Sequence, residues 1–85
     1  MESEIIVFTQ EGCIYCKKQK EWLSQNNIKY QEKNVDKDDE YRLELLERKI
    51  MGVPYTIIRF LEDNEKEVVV GGFDVQKLER LLLEY

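Results

Sequence analysis

The stretch "GCIYCKKQK" (residues 12–20) carries the only two cysteines of the chain, three positions apart, directly after the apolar run of "EIIVFTQE". That placement narrows the fold sharply. "EIIVFT" (residues 4–9) reads as a buried strand, and the segment from Ile14 to about Asn26, closed by the polar "SQNN", reads as a helix. "IKYQEKNV" (residues 28–35) alternates Ile28 and Tyr30 before polar positions, as a second strand would. A strand that returns through a helix to a parallel neighbour crosses over right-handed, which puts Gly12 and Cys13 at the carboxyl end of the first strand. Ligands of open α/β sheets bind at that end.

The rest of the chain supplies two more helices and a hairpin. "DKDDEYRLELLERKI" (residues 36–50) has acids at its start and bases at its end, matching a helix dipole, with Tyr41, Leu45, Leu46 and Ile50 at helical spacing. After "MGVP", the strands "YTIIRFL" (residues 55–61) and "KEVVV" (residues 66–70) flank "EDNE", where Asp63 and Asn64 suit a turn. "GGF" breaks the chain before Asp74, a candidate N-cap for a helix whose apolar positions are Val75, Leu78, Leu81, Leu82 and Tyr85. The expected order is β-α-β-α-β-β-α, without internal repeat, low-complexity tract or linker.

Composition bounds the function. At 85 residues, the chain suits one small domain spanning 1–85, and 42% hydrophobic with 36% charged residues can fold. A net charge of −5 argues against nucleic acid and against anionic membrane, which select clustered Lys and Arg. No apolar run reaches the ~18 to 20 residues of a membrane span, and "MESEIIVFTQ" lacks the basic flank and cleavage site of a secretory signal. The expected address is cytoplasmic. In a reducing compartment a cysteine pair is more often catalytic or metal-binding than a permanent staple.

Exchange chemistry explains the pair best. A thiolate, not a thiol, attacks a disulfide, so the attacking cysteine must ionise below the free value of ~8.5. Unpaired N–H groups and the positive dipole end at a helix start favour that, and Lys17, Lys18 and Lys20 add basic groups, Lys17 nearest. Cys13, at or just before the first turn, is the expected attacking residue. Cys16, nearer the helix and less exposed, would close onto it. Two plainer readings stay open. Structural zinc needs four ligands, and a chain with two cysteines and no histidine would need carboxylates or a second chain to supply them; no metal is expected. A purely structural disulfide across so short a loop gains little.

Two further motifs bear on binding. In "MGVPYTII" the proline is either a simple strand start or the second residue of a cis Val53–Pro54 bond, which would offer the Val53 backbone to an extended substrate. "GGFD" (residues 71–74) is either a structural break with an Asp cap or a carboxylate site at a helix start.

Taken in order over the whole chain, "CIYC", "GVP" and "GGFD" make the sequence resemble the glutaredoxins of the thioredoxin fold. The resemblance implies a four-stranded mixed sheet with helices on both faces and a thiol–disulfide oxidoreductase that reduces protein disulfides and glutathione mixed disulfides. It implies Cys13 as nucleophile and Cys16 as resolving cysteine. Tyr15 would flank glutathione as co-substrate, Val53 beside Pro54 would pair with its cysteine, and Gly72, Phe73 and Asp74 would receive its γ-glutamyl end. The expected state is a monomer with no bound cofactor.

Some positions depart from the family pattern. Ile14 replaces the proline of the dithiol motif, Gly52 the threonine before Val-Pro, and Gln10 a lysine that often holds the glycyl carboxylate; Arg48 and Lys49 fall near another basic position, out of clean register. A related branch, the glutaredoxin-like electron donors to ribonucleotide reductase, is reduced by thioredoxin reductase instead of glutathione. Other glutaredoxins bridge an iron-sulfur cluster between two chains. "GGFD" points to glutathione.

Overall fold

The computed structural model describes residues 3–62, 64 and 66–83. Its elements are β1 (Ser3–Thr9), α1 (Ile14–Gln25), β2 (Gln31–Asn34), α2 (Asp39–Glu47), β3 (Tyr55–Phe60), β4 (Lys66–Gly71) and α3 (Val75–Leu82), in the order read from the sequence. One sheet holds all four strands in the order β2-β1-β3-β4. β1 runs parallel to β2 and antiparallel to β3, and β3 runs antiparallel to β4. The sheet is therefore mixed.

Strand alternation explains the continuous apolar run of β1. Ile5 and Val7 face one side, where they pack with Ile58, Phe60, Val70, Leu23 of α1 and Leu78 of α3. Ile6 and Phe8 face the other, with Ile57, Val35 and Ile50, and there Tyr41 and Leu45 of α2 close the second core. With α1 and α3 on one face and α2 on the other, β1 and β3 are buried on both sides. No helix among the described residues is long and apolar enough to cross a membrane.

Several boundaries differ from the sequence reading, each for a local reason. The second strand begins at Gln31, not Ile28, because Asn27 (φ 57°) turns left-handed and the Ile28 N–H donates to the Leu23 carbonyl at 2.9 Å, closing α1. Ile28 and Tyr30 still pack into the first core. The second helix is shorter than 36–50. Asp36 N–H donates to Asn34 Oδ1 at 2.9 Å in a side-chain turn, and Asp38 caps the helix by accepting from the Glu40 N–H at 2.9 Å. At the other end Lys49 (φ 57°) reverses the chain and the Ile50 N–H reaches the Leu45 carbonyl at 3.1 Å. Arg48 is the C-cap and Lys49 lies beyond it, so no base sits in the last helical turn. Leu46 is exposed, and Ile50 is buried from outside the helix.

The β3–β4 strands form the expected hairpin, with Asn64 in the turn at φ 53°, a conformation asparagine tolerates. Asp63 and Tyr85, both named from the sequence, lie outside the described residues. Asp74 is the N-cap of α3, its carboxylate accepting from the Lys77 N–H at 3.1 Å.

Candidate redox site at the start of the first helix

β1 delivers the chain to the site, and a glycine turn aims it. Gly12 adopts φ 76°, where a side chain would be strained, and the Cys13 N–H closes the turn onto the Gln10 carbonyl at 3.3 Å. The Glu11 N–H donates to Asp36 Oδ2 at 2.9 Å, pinning this turn against the loop after β2. Cys13 then takes extended backbone angles as the N-cap of α1, and its Sγ accepts from the Cys16 N–H at 3.1 Å. A sulfur stands where a Ser or Asp oxygen usually caps, so charge on it meets both a direct donor and the positive helix end.

Cys13 and Cys16 are joined as a disulfide, with Cα atoms 5.2 Å apart. Their exposures differ. Cys13 is half-buried, whereas Cys16 is 2% exposed. An approaching sulfur can reach Cys13 and not Cys16.

The loop before β3 brings the second motif to the first. The Val53–Pro54 bond is cis, and the Val53 carbonyl oxygen lies 3.9 Å from Cys13 Sγ. Pro54 is buried, and its carbonyl accepts the Gly72 N–H at 2.8 Å, which ties the start of β3 to the end of β4. A cleft of about 450 Å³ opens here, lined by Lys49, Ile50, Met51, Gly52, Val53, Tyr55, Gly71 and Gly72. So three motifs far apart in the sequence share one surface.

Other named residues stand apart from that cleft. Phe73 turns its ring into the first core, and the Asp74 carboxylate is engaged with the Lys77 N–H. The N–H groups of Phe73 and Asp74 have no partner among the described residues. Tyr15 is exposed, with Lys18 Nζ 5.4 Å from its ring centroid, and lines neither this cleft nor the next.

A second cleft, of about 440 Å³, flanks the disulfide and is lined by Gln10, Glu11, Gly12, Cys13, Ile14, Cys16, Lys17, Lys20 and Asn34. Lys17 shares this cleft with both cysteines, and its N–H donates to the Cys13 carbonyl at 3.2 Å. Lys20 pairs with Glu32 at 3.0 Å, and the buried Thr9 hydroxyl donates to the same carboxylate at 2.6 Å. Burial alone would raise the pKa of Glu32. The Thr9 and Lys20 hydrogen bonds, with the charges of Lys20 and Lys37, outweigh it and hold the carboxyl below its ordinary value. Among the described residues no group of three or more His, Cys, Asp or Glu is arranged to hold a metal ion.

Arg48, one of the two basic residues near the family's carboxylate-binding position, is committed elsewhere. It pairs with Glu44 at 3.3 Å and with Glu67 at 3.9 Å. Lys49 lines the first cleft, and Gln10 brings no charge to the second.

Sequence reasoning missed four polar residues under the site: Thr9, Glu32, Gln19 and Thr56. Gln19 is wholly buried and donates through Nε2 to Thr56 Oγ1 on β3. The sign was available, since Gln19 falls between Cys16 and Leu23 on the inward stripe of α1. Glu32, on a strand read only as polar, gave none.

The family model described as Glutaredoxin matches residues 5–60, which include the dithiol and the Val53–Pro54 bond and end before "GGFD". The glutaredoxin-like protein NrdH of Lactococcus lactis subsp. cremoris is 30% identical over 50 residues, 59% of this chain and 69% of the relative. Among solved structures, the thioredoxin-like protein BC3987 superposes with a TM-score of 0.74 at 39% identity, covering 93% of this chain and 100% of that one. Glutaredoxin 1 of Francisella tularensis gives a TM-score of 0.69 at 26% identity, covering 99% of this chain and 100% of that one.

Proposed function

Because the chain belongs to the glutaredoxin family of thiol–disulfide oxidoreductases, we propose that it reduces protein disulfides through Cys13 and Cys16 and draws its electrons from a thioredoxin reductase, as the ribonucleotide reductase donor branch does. The observation that carries this reading is the state of the cations. Gln10 stands where a lysine often holds the glycyl carboxylate of glutathione, and Arg48 pairs with Glu44 and Glu67, which leaves Lys49 as the cation lining the Val53 cleft. The similarity to a glutaredoxin-like NrdH protein supports the same branch.

The cycle follows from the exposures. The Cys13 thiolate, held by the Cys16 N–H and the helix end, attacks one sulfur of the substrate disulfide. That S–S bond breaks, the leaving thiolate takes a proton from solvent, and a mixed disulfide joins Cys13 to the substrate. An extended substrate segment pairs with the Val53 backbone, in the manner of an added strand. Cys16 then loses its proton and attacks Cys13 Sγ, releasing the second substrate thiol and leaving the Cys13–Cys16 disulfide. Two electrons from the reductase restore the dithiol.

One observation favours a second reading, with glutathione as reductant. The N–H groups of Phe73 and Asp74 are unpartnered at the start of α3, where a γ-glutamyl carboxylate could sit. Following NADPH consumption by the oxidised protein, with thioredoxin reductase in one arm and glutathione plus glutathione reductase in the other, separates the two. Thioredoxin reductase is expected to sustain turnover at least ~tenfold faster. Equal or faster turnover with glutathione would overturn the first reading in favour of the second.

A further inference from the structure

Among the described residues, Gln19 Oε1 is the one buried side-chain oxygen or nitrogen without a hydrogen-bond partner. Its residue is 0% exposed, and the other half of the amide is fixed, Nε2 donating to Thr56 Oγ1 on β3. Turning the amide over would leave the nitrogen, with both its hydrogens, unplaced instead. A buried acceptor without a donor is costly, so the oxygen calls for a donor that this state of the protein lacks.

Cys16 is the candidate donor on the same helix face. It lies three residues before Gln19 on the same inward stripe of α1, and a helical side chain leans over the turn that precedes it, here the turn carrying Cys16. In the disulfide, Cys16 Sγ has no hydrogen to give and makes no hydrogen-bonding contact with Gln19 Oε1; breaking the S–S bond frees the side chain to turn toward that oxygen. When the pair is reduced, the S–S bond breaks, two electrons and two protons enter, and Cys16 becomes a buried thiol that needs an acceptor of its own.

We infer that Gln19 is a positioning residue for the redox cycle: its free amide oxygen accepts the Cys16 S–H in the dithiol and is stranded in the disulfide, biasing the equilibrium toward the reduced form. The inference rests on the proposed cycling of Cys13 and Cys16, and Gln19 neither attacks nor accepts the proton outright. Through Thr56 it also links the turn bearing the dithiol to the strand that follows Pro54.

Equilibration with mixtures of reduced and oxidised dithiothreitol, quenched by alkylation, tests it. Dithiothreitol supplies the two electrons and becomes the cyclic disulfide. Gln19→Leu removes the stranded oxygen and is expected to favour the disulfide about tenfold, a potential about 30 mV more negative. The double variant Gln19→Leu/Thr56→Val, which leaves no hydroxyl without a partner, should shift equally. Merely structural loss would lower the stability of both redox forms and leave this ratio alone. Should the variants not fold, the infrared S–H stretch of Cys16 in reduced Cys13→Ser decides, because a hydrogen-bonded thiol absorbs at lower frequency than one in a hydrocarbon solvent. A shift below about threefold, a shift of opposite sign, or an unperturbed S–H stretch overturns the role of Gln19. If the unaltered protein does not interconvert with dithiothreitol at all, the proposed function falls with it.

Discussion

Gly72 donates its N–H to the carbonyl oxygen of Pro54 at 2.8 Å, so the corner read from the sequence as a γ-glutamyl receptor spends one of its donors inside the fold. The remaining donors belong to Phe73 and Asp74, and the Asp74 carboxylate caps α3. Asp74→Ala should therefore act first on stability, lowering it by ~1 kcal/mol as loss of an N-cap does. Urea titration measures this. Turnover with thioredoxin reductase should change less than ~twofold, whereas a loss of ten- to a hundredfold confined to glutathione would mark this carboxylate as a ligand group.

Cys13 should ionise below the free-thiol value of ~8.5, because its sulfur already receives the Cys16 N–H at 3.1 Å. That donor is backbone, so Cys16→Ser leaves it in place and isolates the titration of Cys13 by ultraviolet thiolate absorbance. Lys17→Glu should move the midpoint up by ~0.2 to 0.7 of a pH unit, the size of a charge effect at a helix end. A midpoint at or above the free value would remove the capping argument. In turnover, Cys13→Ser should be inactive, and Cys16→Ser should stall as a mixed disulfide visible by mass spectrometry.

Two exposed apolar side chains stand on the clefts at the redox site. Ile14 is exposed in the second cleft beside Cys13, and Met51, 97% exposed, lines the first with Val53. Neither has a packing role that would explain it, and both suit contact with a protein substrate. Ile14→Gln and Met51→Gln should each lower kcat/KM for a protein disulfide by roughly three- to tenfold, a fraction of the ~1.5 to 3 kcal/mol that full burial of such a side chain contributes. Reduction of the Cys13–Cys16 disulfide by dithiothreitol should hold its rate. Equal losses with both reagents would place the effect in the fold or the thiol, not in docking.

Much of this site is legible in the sequence because each motif acts through its own backbone. Glycine before a cysteine pair, Val-Pro before a strand and Asp before an apolar stripe each fix a local geometry, and the antiparallel pairing of β3 with β1 and β4 brings their loops to one end of the sheet. Element ends were harder. The second helix loses residues at both ends to turns made by Asn34, Asp38 and Lys49, and the apolar spacing that included Leu46 and Ile50 does not report these reversals. Least legible were pairings across the sheet. Nothing local in "QEKN" announces that Glu32 collects a hydroxyl from β1 and an ammonium from α1, and nothing around Arg48 announces its approach to Glu67 of β4.

The Glu32 cluster gives the fold a defined acid dependence. Burial pushes its carboxyl pKa up, but the hydrogen bonds from Thr9 and Lys20 and the charges of Lys20 and Lys37 push it down by more. Glu44 behaves alike, with burial opposed by the hydrogen bond and charge of Lys33 and by Arg48. Both carboxyls are thus held below the ordinary glutamate value that an unfolded chain keeps. Their stabilisation is complete above that value and is lost as pH falls through the lower folded ones. Stability measured by urea midpoint should decline from about pH 5 downward. Glu32→Gln should cost up to ~1 kcal/mol at neutral pH, as partly exposed pairs do, and should flatten part of that decline. Thr9→Val, which strips one hydrogen bond and leaves the Lys20 pair, should give a smaller effect of the same sign. If Glu32→Gln retains the full acid slope, this carboxylate is not among the groups that set it.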